Sequence, residues 1–176
     1  MAVGHEKMTV EECYSLDVIR WRREGILRAG IAGTHYKAWH DRHQGQVIAS
    51  LAYVLDTTDM HCPWVQLCYQ LPRTQEVLEY GITLQTTRLH TGGLRWWFTC
   101  PRSPQGRACE RRVGKLYLPP GARYFGCRHC YDLTYTSCQE SHLYDRGFAQ
   151  LAAEIPGTTG TELRRLLLQR WRYGTV

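Results

Sequence analysis

Residues 98–130 read FTCPRSPQGRACERRVGKLYLPPGARYFGCRHC. Two cysteine pairs in this stretch, Cys100 with Cys109 and Cys127 with Cys130, decide how the rest of the chain is organised. Seventeen residues separate Cys109 from Cys127, inside the spacer length of a C-x2-C…C-x2-C zinc ribbon. The spacer holds two strand-like runs, Val113–Leu118 and Ala122–Phe125, around the turn signal Pro119-Pro120-Gly121. A hairpin is therefore expected to carry the chain out from one pair and back to the other. A cysteine, two residues and a second cysteine let both sulfurs meet one tetrahedral ion at ~2.3 Å, and Cys127/Cys130 has this form. The first knuckle is irregular, with eight residues between Cys100 and Cys109. Arg102–Ala108 is read as a loop inserted in it. The expectation is a structural Zn2+ bound by Cys100, Cys109, Cys127 and Cys130. Four buried or free thiols are the competing reading. His129 sits between two closer candidates and is not expected to ligate.

Disulfides are the other use for eight cysteines. The N-terminal MAVGHEKMTVEE has no apolar stretch that would serve as a signal peptide, and no later run approaches the ~20 apolar residues of a membrane span. The expected setting is cytoplasmic, without a membrane, where thiols stay reduced and paired cysteines point to metal. Cys13, Cys62, Cys68 and Cys138 lack ligand spacing and are read as small buried hydrophobes. His61-Cys62 with Cys68 has the elements of a second site, but Trp64, Val65, Leu67 and Tyr69 alternate around it as in a strand, which favours core packing.

Charge is unevenly placed. Residues 1–85 carry 8 Lys+Arg against 10 Asp+Glu, and residues 86–176 carry 14 against 6. The basic half contains the cysteine motif, and a clustered positive field attracts polyanions. Only Lys7, Lys37 and Lys115 are lysines. Arginine's planar fork suits phosphate and base stacking, although a codon bias towards arginine explains the same ratio.

Outward from the cysteines, Leu94–Thr99 is a strand running straight into Cys100, released by Gly92-Gly93. Residues 34–99 pattern as an antiparallel meander. Gln46–Leu55, Trp64–Leu71 and Glu76–Leu84 are its strands, His35–His40 is a weaker first one, and polar turns lie at Asp41–Gly45, Asp56–Asp59 and Pro72–Thr74. The N-terminal TVEECYSLDVIRWRREGIL is read as a short basic helix. Its start is marked by Thr9-x-x-Glu12 or by Ser15 and Asp17, its stop by Gly25, and Leu16 and Ile19 share a face. Beyond the ribbon, Ser137-x-x-Glu140 opens a helix whose face is Leu143, Phe148, Leu151, Ala152 and Ile155, ended by Pro156-Gly157. Thr159-x-x-Glu162 opens another, with Leu163, Leu166, Leu167 and Trp171 on one side and Arg164, Arg165, Arg170 and Arg172 on the rest. The class is α+β: an antiparallel β-meander with an appended four-cysteine zinc ribbon and C-terminal helices. The segments are 1–28 (helical), 29–99 (β-sheet), 100–136 (ribbon) and 137–176 (helical pair).

The stretches GGLRWWFTCP and CERRVGKLYLPPGARYFGCRHCYDLTYTSCQE carry the patterns GG-x-R-x-W-F-x-C-P, C-x-R-R-V-x-K-L-Y and F-x-C-R-x-C-Y-x-L-x-Y-x-S. Over residues 92–140, about a third of the chain, and more weakly at WRREGIL, the sequence resembles a family of uncharacterised small bacterial zinc-ribbon proteins. These are often associated with mobile or phage-related gene islands. The resemblance implies a zinc ribbon with the same four cysteines as ligands and implies no established activity. Cys138 stands where family members commonly have glutamine.

Functionally, Arg111, Arg112, Lys115, Arg123 and Arg128 lie within or beside the ribbon, interleaved with Tyr117, Tyr124 and Phe125, and Arg164 and Arg165 follow in the last helix. Arginine for phosphate with aromatics for stacking predicts a nucleic-acid-binding surface, for DNA or RNA. The alternative is an adaptor or inhibitor that docks on a protein, since Trp, Tyr and Arg also make interface hot spots. No HExxH, GxSxG or P-loop occurs, and four cysteines would close the zinc shell against water and substrate. An enzyme built from scattered residues such as His40, Asp41 and His43 has no positive signal.

Overall fold

Strict alternation of buried and exposed residues in the middle of the chain builds the sheet. In the computed structural model, residues 7–41, 44–71, 73–153, 159–162 and 165 are described, apart from the side chains of residues 142–148. His43, Pro72, Ile155, Pro156-Gly157, Leu163, Arg164, Leu166, Leu167, Arg170, Trp171 and Arg172 lie outside that description, as do the side chains of Leu143 and Phe148.

One compact unit spans Glu12–Leu133. It begins with strand β1 (Tyr14–Asp17) and helix α1 (Val18–Arg23), then follows β2 (Ala32–His40), β3 (Val47–Asp56), β4 (Trp64–Gln70), β5 (Val77–Arg88), β6 (Leu94–Thr99), β7 (Arg112–Val113) and β8 (Lys115–Leu118). Strands β2 to β7 form a six-stranded antiparallel meander in sequence order, and β1 pairs with β8 in a separate ribbon. The class predicted from sequence holds, as an α+β fold dominated by a curled meander. β5 serves two neighbours in turn: Val77–Thr83 pairs with β4, and Leu84–Arg88 pairs with β6.

The turns follow from side-chain chemistry. Asp41 accepts the Gln44 amide, Asp56 accepts the amide and hydroxyl of Thr58, and Asp59 accepts the His61 amide, each a local carboxylate turn. Gly92 and Gly93 have φ of 81° and 85°, which glycine adopts without steric cost. Thr57 is fully buried; its hydroxyl donates its one proton to the Arg28 carbonyl at 2.6 Å, lies 3.0 Å from the Ile31 carbonyl and accepts from the Ile31 amide. It ties the link between α1 and β2 to the end of β3.

The inner face of the meander carries Leu51, Tyr53, Leu55, Val65, Leu67, Tyr69, Leu78, Ile82, Leu84, Trp96 and Phe98, all buried in one cluster with Leu16, Val18, Trp21 and Leu116. Trp21 of α1 stacks on Tyr53 at 4.6 Å and meets Phe98 edge-on at 5.2 Å. Phe125 lies edge-on to Tyr69 at 5.6 Å. Its amide donates to the Tyr80 hydroxyl, and the Tyr69 hydroxyl donates to the Arg123 carbonyl.

Several local expectations change. Tyr14–Asp17 is a strand, so Leu16 packs from β1. Helix α1 starts after Asp17, whose carboxylate caps the amides of Ile19 and Arg20, and it buries Val18 and Trp21 while Ile19 is exposed. Gly25, with φ of 73°, does follow its end. Val113–Leu118 is broken at Gly114, so that its two halves join different sheets. Ala122–Phe125 is not a strand; the return path makes one bridge, Tyr117 with Gly126. The expected hairpin is thus an irregular loop plugged by Phe125.

The second unit comprises residues 1–11 and 134–176. Thr9 bridges Thr134 in parallel, and α2 spans Thr136–Ala153. The Glu11 carboxylate accepts from the amide and hydroxyl of Thr136, so the helix begins before Ser137, not at it. Ala152 is buried and Leu151 is exposed. The Glu162 amide meets the Thr159 hydroxyl at 3.3 Å, as the predicted cap requires.

Trp21 closes the aromatic centre of the core with an indole that is 1% exposed. Trp21→Ala should therefore cost about 3–5 kcal/mol, measured as a lower urea midpoint with an unchanged slope.

Candidate metal centre

The four cysteines arrive from three directions. Cys100 ends β6, Cys109 closes the loop before β7, and Cys127 and Cys130 follow the Phe125 segment. Their sulfurs all lie within 4.8 Å of one another. The Cys100–Cys130 and Cys109–Cys127 separations are 3.8 Å, and Cys127–Cys130 is 3.6 Å. Four sulfurs each about 2.3 Å from a central ion form a tetrahedron with edges of about 3.8 Å. The donor set therefore fits a tetrahedral metal ion, and all eight cysteines are free thiols.

The irregular first knuckle works by closing its insertion. The Cys109 amide donates to the Arg102 carbonyl at 2.8 Å, so residues 103–108 bulge out through a 3-10 turn at Pro104–Gly106. Gln105, Gly106 and Glu110 have φ of 54°, 77° and 48°. The Cys100 amide then donates to the Arg111 carbonyl, extending the ladder of β6 and β7. In the second knuckle, the Cys130 amide donates to the Cys127 carbonyl and the Leu133 amide to the Arg128 carbonyl.

Backbone amides aim at the sulfurs as well. The amides of Arg102 and Cys127 face Cys100, and that of Arg111 faces Cys109; such donors orient metal ligands and favour the thiolate. Burial nonetheless pushes the Cys100 thiol up to about 11, and burial with neighbouring thiols pushes Cys130 up too. At Cys109 burial also raises the pKa, but the Arg111 amide and adjacent thiols outweigh it and hold the group below its ordinary value. A cluster that resists ionising by itself becomes a thiolate set when a divalent cation supplies the opposing charge.

Three residues that sequence reasoning passed over complete the wall. The Arg102 guanidinium lies 4.3 Å above the Tyr131 ring, and the Tyr131 hydroxyl donates to the Tyr124 carbonyl. Gly126 lies beneath both: a Cβ there would meet Arg102 Cγ at 2.5 Å and Tyr131 Cε2 at 2.9 Å. The only signal in the sequence was a glycine directly before Cys127.

The remaining cysteines depart from expectation. Cys62 and Cys138 are exposed, and Cys13 and Cys68 are half-buried, with Cys68 on the outer side of β4, opposite the buried Leu67 and Tyr69. His129 is exposed and outside the cluster. Among the predicted basic residues, Lys115 pairs with Asp17 at 3.2 Å and Arg123 pairs with Glu76. Arg128 is half-buried and Arg165 is exposed. Arg111 and Arg112 are exposed, with no carboxylate partner among the described residues. No described helix is long and apolar enough to cross a membrane. No family model, curated protein or solved structure matches this chain.

Adding a methyl group at Gly126 forces Arg102 and Tyr131 off the knuckle. Gly126→Ala should hasten metal loss to a chelator several-fold while leaving the meander folded, as followed by a chromogenic chelator alongside far-UV circular dichroism.

Proposed function

We propose that this chain is a non-enzymatic nucleic-acid-binding protein of the cytoplasm, its fold completed by a structural zinc ion. Four thiolates fill a tetrahedral shell and leave no open position for water or substrate, which supports a structural role for the ion. Zinc suits an all-sulfur tetrahedron and brings no redox chemistry. The likeness of residues 92–140 to zinc-ribbon proteins of mobile or phage-related gene islands supports the same reading.

One observation carries the nucleic-acid part. Arg111 and Arg112 directly follow a ligand, and their backbone is held on both sides of the metal centre. The Arg111 carbonyl accepts from Cys100, its amide faces Cys109, and Arg112 lies opposite Thr99 in the ladder. A cation on a fixed backbone loses less conformational entropy when it meets a phosphate. Lys115 and Arg123 already neutralise carboxylates, so they have less to offer a polyanion.

A second reading, an adaptor or inhibitor docking on a protein, draws on a different feature. Tyr36 is 80% exposed, Val77 63% and Val47 59%, and exposed apolar side chains of this size suit a protein interface. Such an interface would be little affected by salt.

Elemental analysis of the folded protein should find one zinc per chain, and Cys109→Ser should yield metal-poor, protease-sensitive protein. Folded protein without zinc would end the structural-zinc reading. Arg111→Glu with Arg112→Glu should keep zinc and fold but weaken nucleic-acid binding, and each lost phosphate contact should flatten the plot of log affinity against log salt by about one unit. If RNA and DNA bind no tighter than about micromolar at low salt, with the double variant unchanged, the adaptor reading takes its place.

A further inference from the structure

Strand β6 sorts its side chains by alternation. Trp96 and Phe98 are buried in the core, which leaves Arg95, Trp97 and Thr99 on the outer face. Residues opposite one another in an antiparallel ladder share a side. Arg95 is opposite Thr87, Trp97 opposite Gln85, and Thr99 opposite Arg112. Two hydrogen bonds confirm the common face: Trp97 Nε1 donates to Thr87 Oγ1 at 3.1 Å, and Gln85 Nε2 donates to Thr99 Oγ1 at 2.8 Å. The Arg95 guanidinium stacks 4.1 Å above the half-exposed Trp97 ring. Arg112 is its diagonal neighbour across the ladder, at about 7–8 Å between backbones. Arg111 adjoins it. Across β5, half-exposed Trp64 lies opposite Thr83 on the same side.

We propose that an unpaired stretch of nucleic acid lies across this outer face. Its bases stack on the Arg95–Trp97 pair and on Trp64, and its phosphates meet Arg112. The proposal rests on the nucleic-acid reading above and names the form of the ligand and the surface that holds it. Every base has a π-face, so an indole and a flat guanidinium bind single strands with little regard to sequence. In a duplex those faces are stacked away from the sheet. Charge agrees: residues 84–88, β6 and β7 place no carboxylate on this side. The nearest acids by sequence and register are Glu110, exposed two residues before Arg112, Asp56, opposite Trp64 and engaged by Thr58, and Glu79, engaged by Gln66. The ladder neighbours of Trp97 on this side, Gln85, Thr87, Arg95 and Thr99, are polar or cationic, which suits sugar and phosphate better than the apolar centre of a protein interface.

The test is fluorescence anisotropy with labelled single-stranded RNA, single-stranded DNA and the matching duplex, on full-length zinc-loaded protein. Single strands should bind at least tenfold tighter than duplex. Trp97→Leu should weaken single-strand binding about tenfold or more, the loss of one stacked base. Trp97→Phe should restore part of it, and Arg112→Gln should flatten the salt slope. Arg23→Gln on α1 should change nothing. Zinc content and urea midpoint report whether each variant is folded. Should Trp97→Leu fail that check, photo-crosslinking of wild-type protein to thiouridine-bearing RNA decides: adducts on Trp97 or Trp64 support the platform, and adducts confined to other surfaces overturn it. Preference for duplex overturns it as well. If folded Trp97→Leu binds like wild type while the Arg111/Arg112 double variant loses binding, the platform is wrong and the nucleic-acid reading stands. If no nucleic acid binds at all, both fall.

Discussion

Four sulfurs within 4.8 Å of one another are a poor arrangement until a cation joins them. Thiolates so close repel, and neutral thiols at these distances gain little. Every element around the centre is committed to it: the end of β6, the start of β7, the inserted loop and the segment that seats Phe125 against Tyr69. Thiolate ligation of a metal ion at such a site would contribute on the order of 10 kcal/mol of folding free energy, comparable with the whole net stability of an ordinary domain. The meander and the cysteine centre also share apolar contacts, since Cys100 and Cys127 belong to the same buried cluster as Phe98 and Leu116. Disturbing the cysteine cluster would therefore loosen the wall of the core as well as the loops that bear it.

The arginines near this centre divide by what they touch. Arg102 covers Tyr131 and closes the knuckle. Lys115 and Arg123 answer Asp17 and Glu76 in exposed pairs of the kind that contribute roughly 0–1 kcal/mol. Arg95 rides on Trp97, and Arg111 and Arg112 stand on backbone fixed by the ligands. A tetrathiolate around a divalent cation would keep a net charge of about −2, so arginines near such a centre would serve it as well as a polyanion. The excess of arginine in the second half of the chain thus has more than one physical cause.

Much of the fold is legible because periodicity of two survives in single sequences. Leu94–Thr99 agrees to the residue, and the other meander strands agree to within a few residues at their ends. The clustering of the four cysteines is legible because cysteine spacing is a chemical constraint that few other roles impose. The misses share a cause: they are decided by contacts between residues far apart in the chain. Tyr14–Asp17 looks like the start of a helix until β8 offers it a partner. Ala122–Phe125 has strand composition, but Phe125 drops into the core and the segment follows it. Residue type alone puts Cys62 and Cys138 in the interior, and neither is there. The pairing of Arg95 with Trp97 lies in plain alternation within β6, yet a reading centred on the cysteines passes over it.

The pairing of β1 with β8 sets a timetable for the newborn chain. Tyr14 meets Leu118, so the first strand cannot find its partner until more than a hundred further residues have been made. At the usual pace of about 5–20 residues per second, β1 and the apolar side of α1 wait several seconds or longer. Throughout that interval Trp21 and Leu16 have no finished core to enter, and Cys127 and Cys130, the second half of the cysteine cluster, emerge later still. The meander can assemble in order as it leaves the ribosome, because each of its strands pairs with the one just made. The front of the protein is the last part to be secured, and its safekeeping before then falls to whatever shelters apolar segments at the tunnel exit.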